Sequence, residues 1–172
     1  MKKLILCALI ISSVFLSCTE QKQPVQEEVI STYYLIRHAE KDRSDKTNRN
    51  PNLMDKGTER AVNWSTVFKD VSFDMVYSTD YNRTKQTATP TAKSKELTLL
   101  FYNPRTLFDE EFQKATKGKT VLVVGHSNTT PNFANAILGS KKYDQIDDHN
   151  NANLYIVTLT NNTKTGVLLK VD

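Results

Sequence analysis

The chain has 172 residues, 38% of them hydrophobic and 24% charged, enough for one domain that buries roughly 70% of its unfolded surface without needing a disulfide or metal staple. This composition excludes a largely disordered or repetitive chain. The formal charge of +4 includes Lys2 and Lys3 at the very start, and without them it is +2; with no cluster of Lys and Arg interleaved with aromatics, a nucleic-acid binder is excluded too.

Residues 1–17 read as a signal peptide of the lipoprotein type. Lys2 and Lys3 precede an apolar run over 4–16, broken only by Ser12 and Ser13, and Phe15-Leu16-Ser17-Cys18 closes it. The run is shorter than the roughly 20 residues of a membrane-spanning helix. The closing tetrad resembles a bacterial lipobox, with cleavage before Cys18 and lipid on its sulfur. An uncleaved anchor and plain secretion are the other readings. Cleavage would remove Cys7 and lipidation would consume Cys18, which leaves no thiol for catalysis. Residues 18–30, with Pro24 and several Gln and Glu, are expected to form a flexible tether, and 31–172 the folded domain. The expected location is the cell envelope, facing the periplasm or exterior and touching membrane only through the lipid.

A first strand is predicted over 32–37, followed by a polar loop over 40–52 that contains Asn50-Pro51. Gly57, Ala61, Trp64, Ser65 and Phe68 recur at helical spacing and predict a helix over 55–69. A second strand falls at 73–77. The small face formed by Thr84, Thr87, Ala88, Thr91, Ala92 and Lys95 predicts a second helix, in which Pro90 implies a kink or a late start. A third strand is expected over 97–102 and a helix over 107–117, with Phe108, Phe112 and Ala115 inward. The continuous β-branched run at 120–124 suits a strand buried on both faces. Thr130 as N-cap, Pro131 at the first helical position and Gly139 past the end delimit the next helix. Strands at 154–159 and 167–171 close the chain through a hairpin at 161–163. This alternation predicts an α/β three-layer sandwich, a mostly parallel central sheet with helices on both faces.

Such sheets place ligand sites at the carboxyl ends of their strands. After the first strand comes Arg37-His38-Ala39-Glu40-Lys41. After the second, Ser78-Thr79-Asp80-Tyr81-Asn82-Arg83-Thr84 brings Arg83 into the first turn of a helix. After the buried strand, Gly125-His126-Ser127-Asn128-Thr129 precedes the Pro131 helix. Each piece alone is weak; together, two Arg and two His at one sheet edge describe a site for an anion. The three histidines, His38, His126 and His149, show no metal-ligand spacing, and no metal or other cofactor is implied. Gly125-His126-Ser127 is not a serine-hydrolase elbow, since Thr129 stands where the second Gly belongs.

The segments Leu35-Ile36-Arg37-His38-Ala39-Glu40, Leu53-Met54-Asp55-Lys56-Gly57, Tyr77-Ser78 through Arg83-Thr84 to Gln86-Thr87-Ala88, and Val123-Val124-Gly125-His126-Ser127-Asn128 together resemble the histidine phosphatase superfamily, in its phosphoglycerate mutase-like branch. The resemblance implies His38 as the phosphorylated nucleophile, with Arg37, Arg83 and His126 binding the phosphoryl oxygens. It implies a hydrolase of phosphate monoesters acting on a small phosphorylated substrate without a metal. The chemistry agrees: phosphoryl transfer needs mainly positioning and charge stabilisation. His38 must be neutral at the attacking nitrogen, with its other nitrogen held by a backbone carbonyl, and a bound dianion would favour protonated His126.

The general acid is open. Asp109-Glu110-Glu111 is the place to look, with Glu110 marginally preferred, but these carboxylates serve equally as first-turn charges of a helix. Some compact relatives lack a clear acid and handle phosphoramidates or activated esters. Lys41 either touches phosphate or solvates its loop, and His149 reads as a surface residue. The short chain, without a lid insertion, suggests an open pocket and speaks against a mutase. A compact phosphohistidine-type phosphoprotein phosphatase and a non-catalytic phosphate-binding lipoprotein remain the alternatives.

Overall fold

The computed structural model describes residues 28–171; the expected signal peptide, Cys18 and most of the expected tether lie outside the described residues. Six strands form one sheet, β1 (Ser31–Arg37), β2 (Met75–Ser78), β3 (Leu99–Phe101), β4 (Thr120–Gly125), β5 (Asn153–Leu159) and β6 (Lys164–Lys170), in the order β3-β2-β4-β1-β5-β6. Strands β3, β2, β4 and β1 are mutually parallel, whereas β5 runs antiparallel to both β1 and β6. The predicted α/β sandwich with a mostly parallel sheet is what the chain adopts.

Side-chain alternation along the central strands divides the core in two. Tyr33, Leu35, Val121 and Val123 join Phe112, Phe133 and Ile137 on one face. Ile36, Leu122 and Val124 join Trp64, Phe68, Ala88 and Ala92 on the other. A period of two on strands buried on both sides gives this result directly. Helices α1 (Asp55–Val67) and α2 (Asn82–Ser94) cover the second face, and α3 (Glu110–Thr116) and α4 (Thr129–Leu138) the first. Among the described residues no helix is long and apolar enough to cross a membrane.

Four details differ from the sequence reading. Helix α2 starts at Asn82 and continues through Pro90, so there is no late start. Its buried Thr87, Ala88, Thr91 and Ala92 pack on the sheet and α1, and that packing offsets the hydrogen bond Pro90 cannot donate. Helix α3 is shorter than expected because Leu107 takes a positive φ of 43° and Asp109 caps the helix, accepting from Phe112 N–H at 2.9 Å. Its inward residues are Phe112 and Thr116, one turn apart, and Ala115 is exposed. Helix α4 begins two residues earlier than predicted, with Asn128 at the cap. Thr130 turns into the core instead, donating to the Ile36 carbonyl at 3.2 Å, while Gly139 (φ 73°) ends the helix as expected. Strand β6 starts at Lys164, its polar first half being an exposed edge with no apolar signal.

Candidate active site

The strands that end in the three marked segments are adjacent, in the order β2-β4-β1, so their carboxyl ends meet. His38 leaves β1 with its N–H donating to Gly125 O at 2.9 Å, which ties it to the end of β4. Its carbonyl accepts from Asn151 Nδ2 at 2.7 Å, and the next N–H, of Ala39, donates to Thr87 Oγ1 at 2.9 Å. Three elements thus hold the backbone of one buried histidine (3% exposed). Two glycines let the backbone come this close. A Cβ on Gly57 would lie 2.1 Å from the Glu40 carbonyl oxygen, and one on Gly125 would lie 2.7 Å from the Tyr102 hydroxyl.

The tautomer of His38 is set by its partner. Nδ1 lies 2.7 Å from the Ala39 carbonyl, which only accepts, so Nδ1 carries the proton and Nε2 keeps a lone pair. Burial first, with the Arg37, Arg83 and His126 charges adding to it, lowers the His38 pKa to about 3 against the opposing pull of the Ala39 bond. The imidazole is neutral above that pH, as a nucleophile requires.

His126 is fixed by a chain of hydroxyls. Its Nε2 is 2.9 Å from Thr79 Oγ1, which is 2.9 Å from Thr84 Oγ1, and Thr84 donates to backbone carbonyls of Thr79 and Tyr81 at 2.8 and 2.9 Å. Because the chain ends on acceptors, each hydroxyl passes its proton outward and Nε2 must be the donor. Nδ1 is left as an acceptor, 3.4 Å from Arg83 Nη2. Burial, then Arg83, Arg37 and Lys41, lower the His126 pKa to about 4. The two imidazole rings are 5.6 Å apart.

Arg37 is 2% exposed, and its guanidinium is partly committed. Nη1 donates to the carbonyls of Asp147 and Asn150 at 2.8 and 3.0 Å, and Nη2 to Asp148 Oδ1 at 2.7 Å. Of its five N–H groups this leaves Nε–H and one on Nη2. Arg83 lies over the Tyr81 ring, 4.6 Å from its centroid. Among the described residues, Arg37 Nε, Arg83 Nε and Arg83 Nη1 are buried with no hydrogen-bond partner. Orphaned buried donors are costly and rare. Three of them on two neighbouring guanidiniums mark the place of an anion.

All four sequence-predicted residues, His38, Arg37, Arg83 and His126, line one cavity of about 420 Å3, with Lys41, Tyr81, Arg105, Asn128 and Asp148 around it. Asp109, Glu110 and Glu111 do not line it. Asp109 caps α3, and Asp109 and Glu111 border a separate hollow beside Tyr77 and Phe101. The helix-charge reading of that triplet is therefore the one the geometry favours. The carboxylate at the cavity is Asp148, which the motifs of the sequence do not single out. Hydrogen bonds from Arg43 and Arg37 hold its carboxyl well below the usual carboxylate range, so it is ionised and a poor proton donor. Asn151 is likewise absent from those motifs. The backbone of the neighbouring His149 belongs to the same loop, but its side chain is 90% exposed, with Nδ1 3.4 Å from Asp147 Oδ1, as expected of a surface residue.

Residues 33–102 match the family model of the histidine phosphatase superfamily (branch 1), a span that includes Arg37, His38 and Arg83 but not His126. A search of curated proteins finds no significant match. Among solved structures, the protein histidine phosphatase SixA complexed with tungstate superposes with a TM-score of 0.63 at 13% identity, covering 81% of this chain and 96% of that one. Phosphoglycerate mutase from Bacillus anthracis superposes at 0.61 with 19% identity, covering 81% and 92%. Alpha-ribazole phosphatase from Shigella flexneri gives 0.61 with 16% identity, covering 81% and 96%. These likenesses establish a shared phosphoglycerate mutase-like fold.

Proposed function

Starting from the histidine phosphatase match and fold, we propose that the chain hydrolyses phosphate monoesters through a phosphohistidine formed on His38. One observation carries the reading: a neutral, backbone-clamped His38 shares a cavity with Arg37 and Arg83, two guanidiniums that keep N–H groups without a hydrogen-bond partner. Arg37 and Arg83 would take the equatorial oxygens of the transferring phosphoryl group, whose charge they stabilise as it develops. His126, protonated at Nδ1 as the dianion binds, would donate to another. The Nε2 lone pair of His38 attacks phosphorus, the ester P–O bond breaks, and the leaving oxygen takes a proton. Water then attacks phosphorus, the N–P bond breaks, and phosphate leaves with His38 restored.

The chain's own cations supply the charge stabilisation, so chelation is expected to leave the rate unchanged. Among the described residues no protonated carboxyl lines the cavity, because Asp148 is ionised and the Asp109–Glu111 carboxylates are elsewhere. The leaving group must then draw its proton from water, which favours esters of acidic alcohols or phenols. That same lack favours, as a second reading, phosphoramidate bonds such as those of phosphohistidine in proteins; SixA, named a protein histidine phosphatase, shares this fold. The lipid anchor at Cys18 and the envelope location remain part of the proposal, supported by the first 18 residues of the sequence.

The test is turnover of p-nitrophenyl phosphate by wild type, lost in His38→Ala, with labelled phosphate trapped on the protein after an alkaline quench. Label that persists on His38→Ala would refute the assigned nucleophile.

A further inference from the structure

Beside the cavity of the reacting phosphoryl group lies another of about 440 Å3, and His38, Lys41 and Asp148 line both. Lys41 stands where they join. Its backbone is anchored by an isolated antiparallel bridge to Leu53, next to the bond from Asp42 N–H to Asn52 O at 2.8 Å. Its side chain is half-buried, and among the described residues no carboxylate comes within ion-pair distance of its ammonium. The carboxylates lining the second cavity are engaged elsewhere. Glu40 accepts from Arg60 Nε at 3.0 and 3.1 Å, Asp42 accepts from Ser44 N–H at 2.8 Å, and Asp148 holds Arg37 and Arg43. Burial, then Arg83 and Arg43, hold the Lys41 pKa below the ordinary lysine value against the opposing pull of Asp148.

A half-buried ammonium among guanidiniums is unfavourable unless an anion joins it. The reacting phosphoryl group is met by Arg37, Arg83 and protonated His126, and Asp148 is held by Arg37 and Arg43. Among the described residues Lys41 and Arg105 are the lining cations that neither meet the phosphoryl group nor hold an ion pair, and of the two only Lys41 also lines the second cavity. The space is also larger than a phosphoryl group, in the range of small-molecule sites.

We propose that Lys41 forms a specificity subsite for a second anionic group, so that the preferred substrates are small phosphate esters that also carry a carboxylate or another phosphate. The substrate class rests on the phosphatase reading, but the subsite is a binding property that can be measured without turnover.

Isothermal titration with two non-hydrolysable ligands tests it: methylphosphonate, and phosphonoacetate, which adds one carboxylate. Wild type is expected to bind phosphonoacetate about tenfold more tightly or better, the scale of a charge-assisted hydrogen bond. In Lys41→Met that preference falls below about twofold while methylphosphonate affinity is little changed, and Lys41→Arg retains it. No preference in wild type overturns the proposal, and so does a preference that survives in Lys41→Met. An equal loss for both ligands also overturns it, because Lys41 would then hold the phosphonate itself. A protein that shows the Lys41-dependent preference but does not turn over p-nitrophenyl phosphate keeps the subsite and loses the phosphatase reading.

Discussion

Replacing Asp148 by Asn and by Ala separates the charge of this residue from its grip on Arg37. Its Oδ1 accepts from Arg37 Nη2 and its Oδ2 from Arg43 Nη1, both at 2.7 Å, and its carbonyl accepts from Arg43 Nη2 at 3.0 Å. Asp148 is 57% exposed, so the Arg43 arm contributes roughly 0–1 kcal/mol. The arm to buried Arg37 contributes roughly 1.5 kcal/mol, the low end for a charged hydrogen bond, because solvent screens the carboxylate. Asn keeps an acceptor for Arg37, so Asp148→Asn is expected to cost about 1–2 kcal/mol, or roughly 2–8 °C in Tm. It also removes a negative charge from the lining of the anion's cavity, which strengthens binding of a dianion by on the order of 1 kcal/mol even at the dielectric constant of water. Competitive inhibition by inorganic phosphate should tighten about fivefold, with kcat for p-nitrophenyl phosphate within about threefold of wild type. Ala removes the acceptor as well, and a guanidinium displaced by about 1 Å costs on the order of 100-fold in kcat. If Asn lost as much kcat as Ala while phosphate affinity stayed the same, the carboxyl would be a proton donor and the clamp argument would be wrong.

The same geometry gives three further expected outcomes. Because the free-state His126 pKa is lowered to about 4, its Nδ1 is unprotonated at pH 6.5. Binding a dianion raises that pKa, so the protein should take up part of a proton; titration of sulfate, which is fully ionised at this pH and releases no proton of its own, in two buffers of different ionisation enthalpy measures it, and proton release would have the wrong sign. Gly57→Ala places a methyl 2.1 Å from the Glu40 carbonyl oxygen and forces the segment after His38 to shift. Denaturant unfolding should show a loss of about 1–3 kcal/mol, with kcat falling at least tenfold. Asn151→Ala removes the donor to the His38 carbonyl; a loss of about 1–2 kcal/mol is expected with a lower kcat and an almost unchanged KM, and a change in KM alone would count against its role in holding His38.

Much of the site is legible in the sequence because the chemistry of a parallel sheet sits in the residues just past the carboxyl end of each strand. Arg37-His38 and Gly125-His126 sit at the ends of β1 and β4, Arg83 lies five residues past β2, and these three strands are neighbours in the sheet. Asp148 and Asn151 escape that rule for a topological reason. Strand β5 is antiparallel to β1, with Leu154 opposite Ile36, so the residues before β5 reach the same edge as those after β1. Reading only the downstream flank of each strand misses them, and nothing in Asp148-His149-Asn150-Asn151 alone reveals the strand direction. The displaced cap of α4 has a local cause. Thr130 and Asn128 are both good caps by residue type, and tertiary contacts decide between them by drawing Thr130 to the Ile36 carbonyl. The shortened α3 reflects Leu107 and Phe108, whose apolar pattern fits a helix but whose side chains serve the core from an irregular segment.

The polypeptide enters the sheet at Ser31 and reaches Arg37 at the end of a seven-residue strand, a climb of roughly 20 Å from one pole of the domain to the other. The described residues therefore begin near the pole opposite the two imidazoles, so a chain joined at residue 28 need not pass the mouth of the cavity.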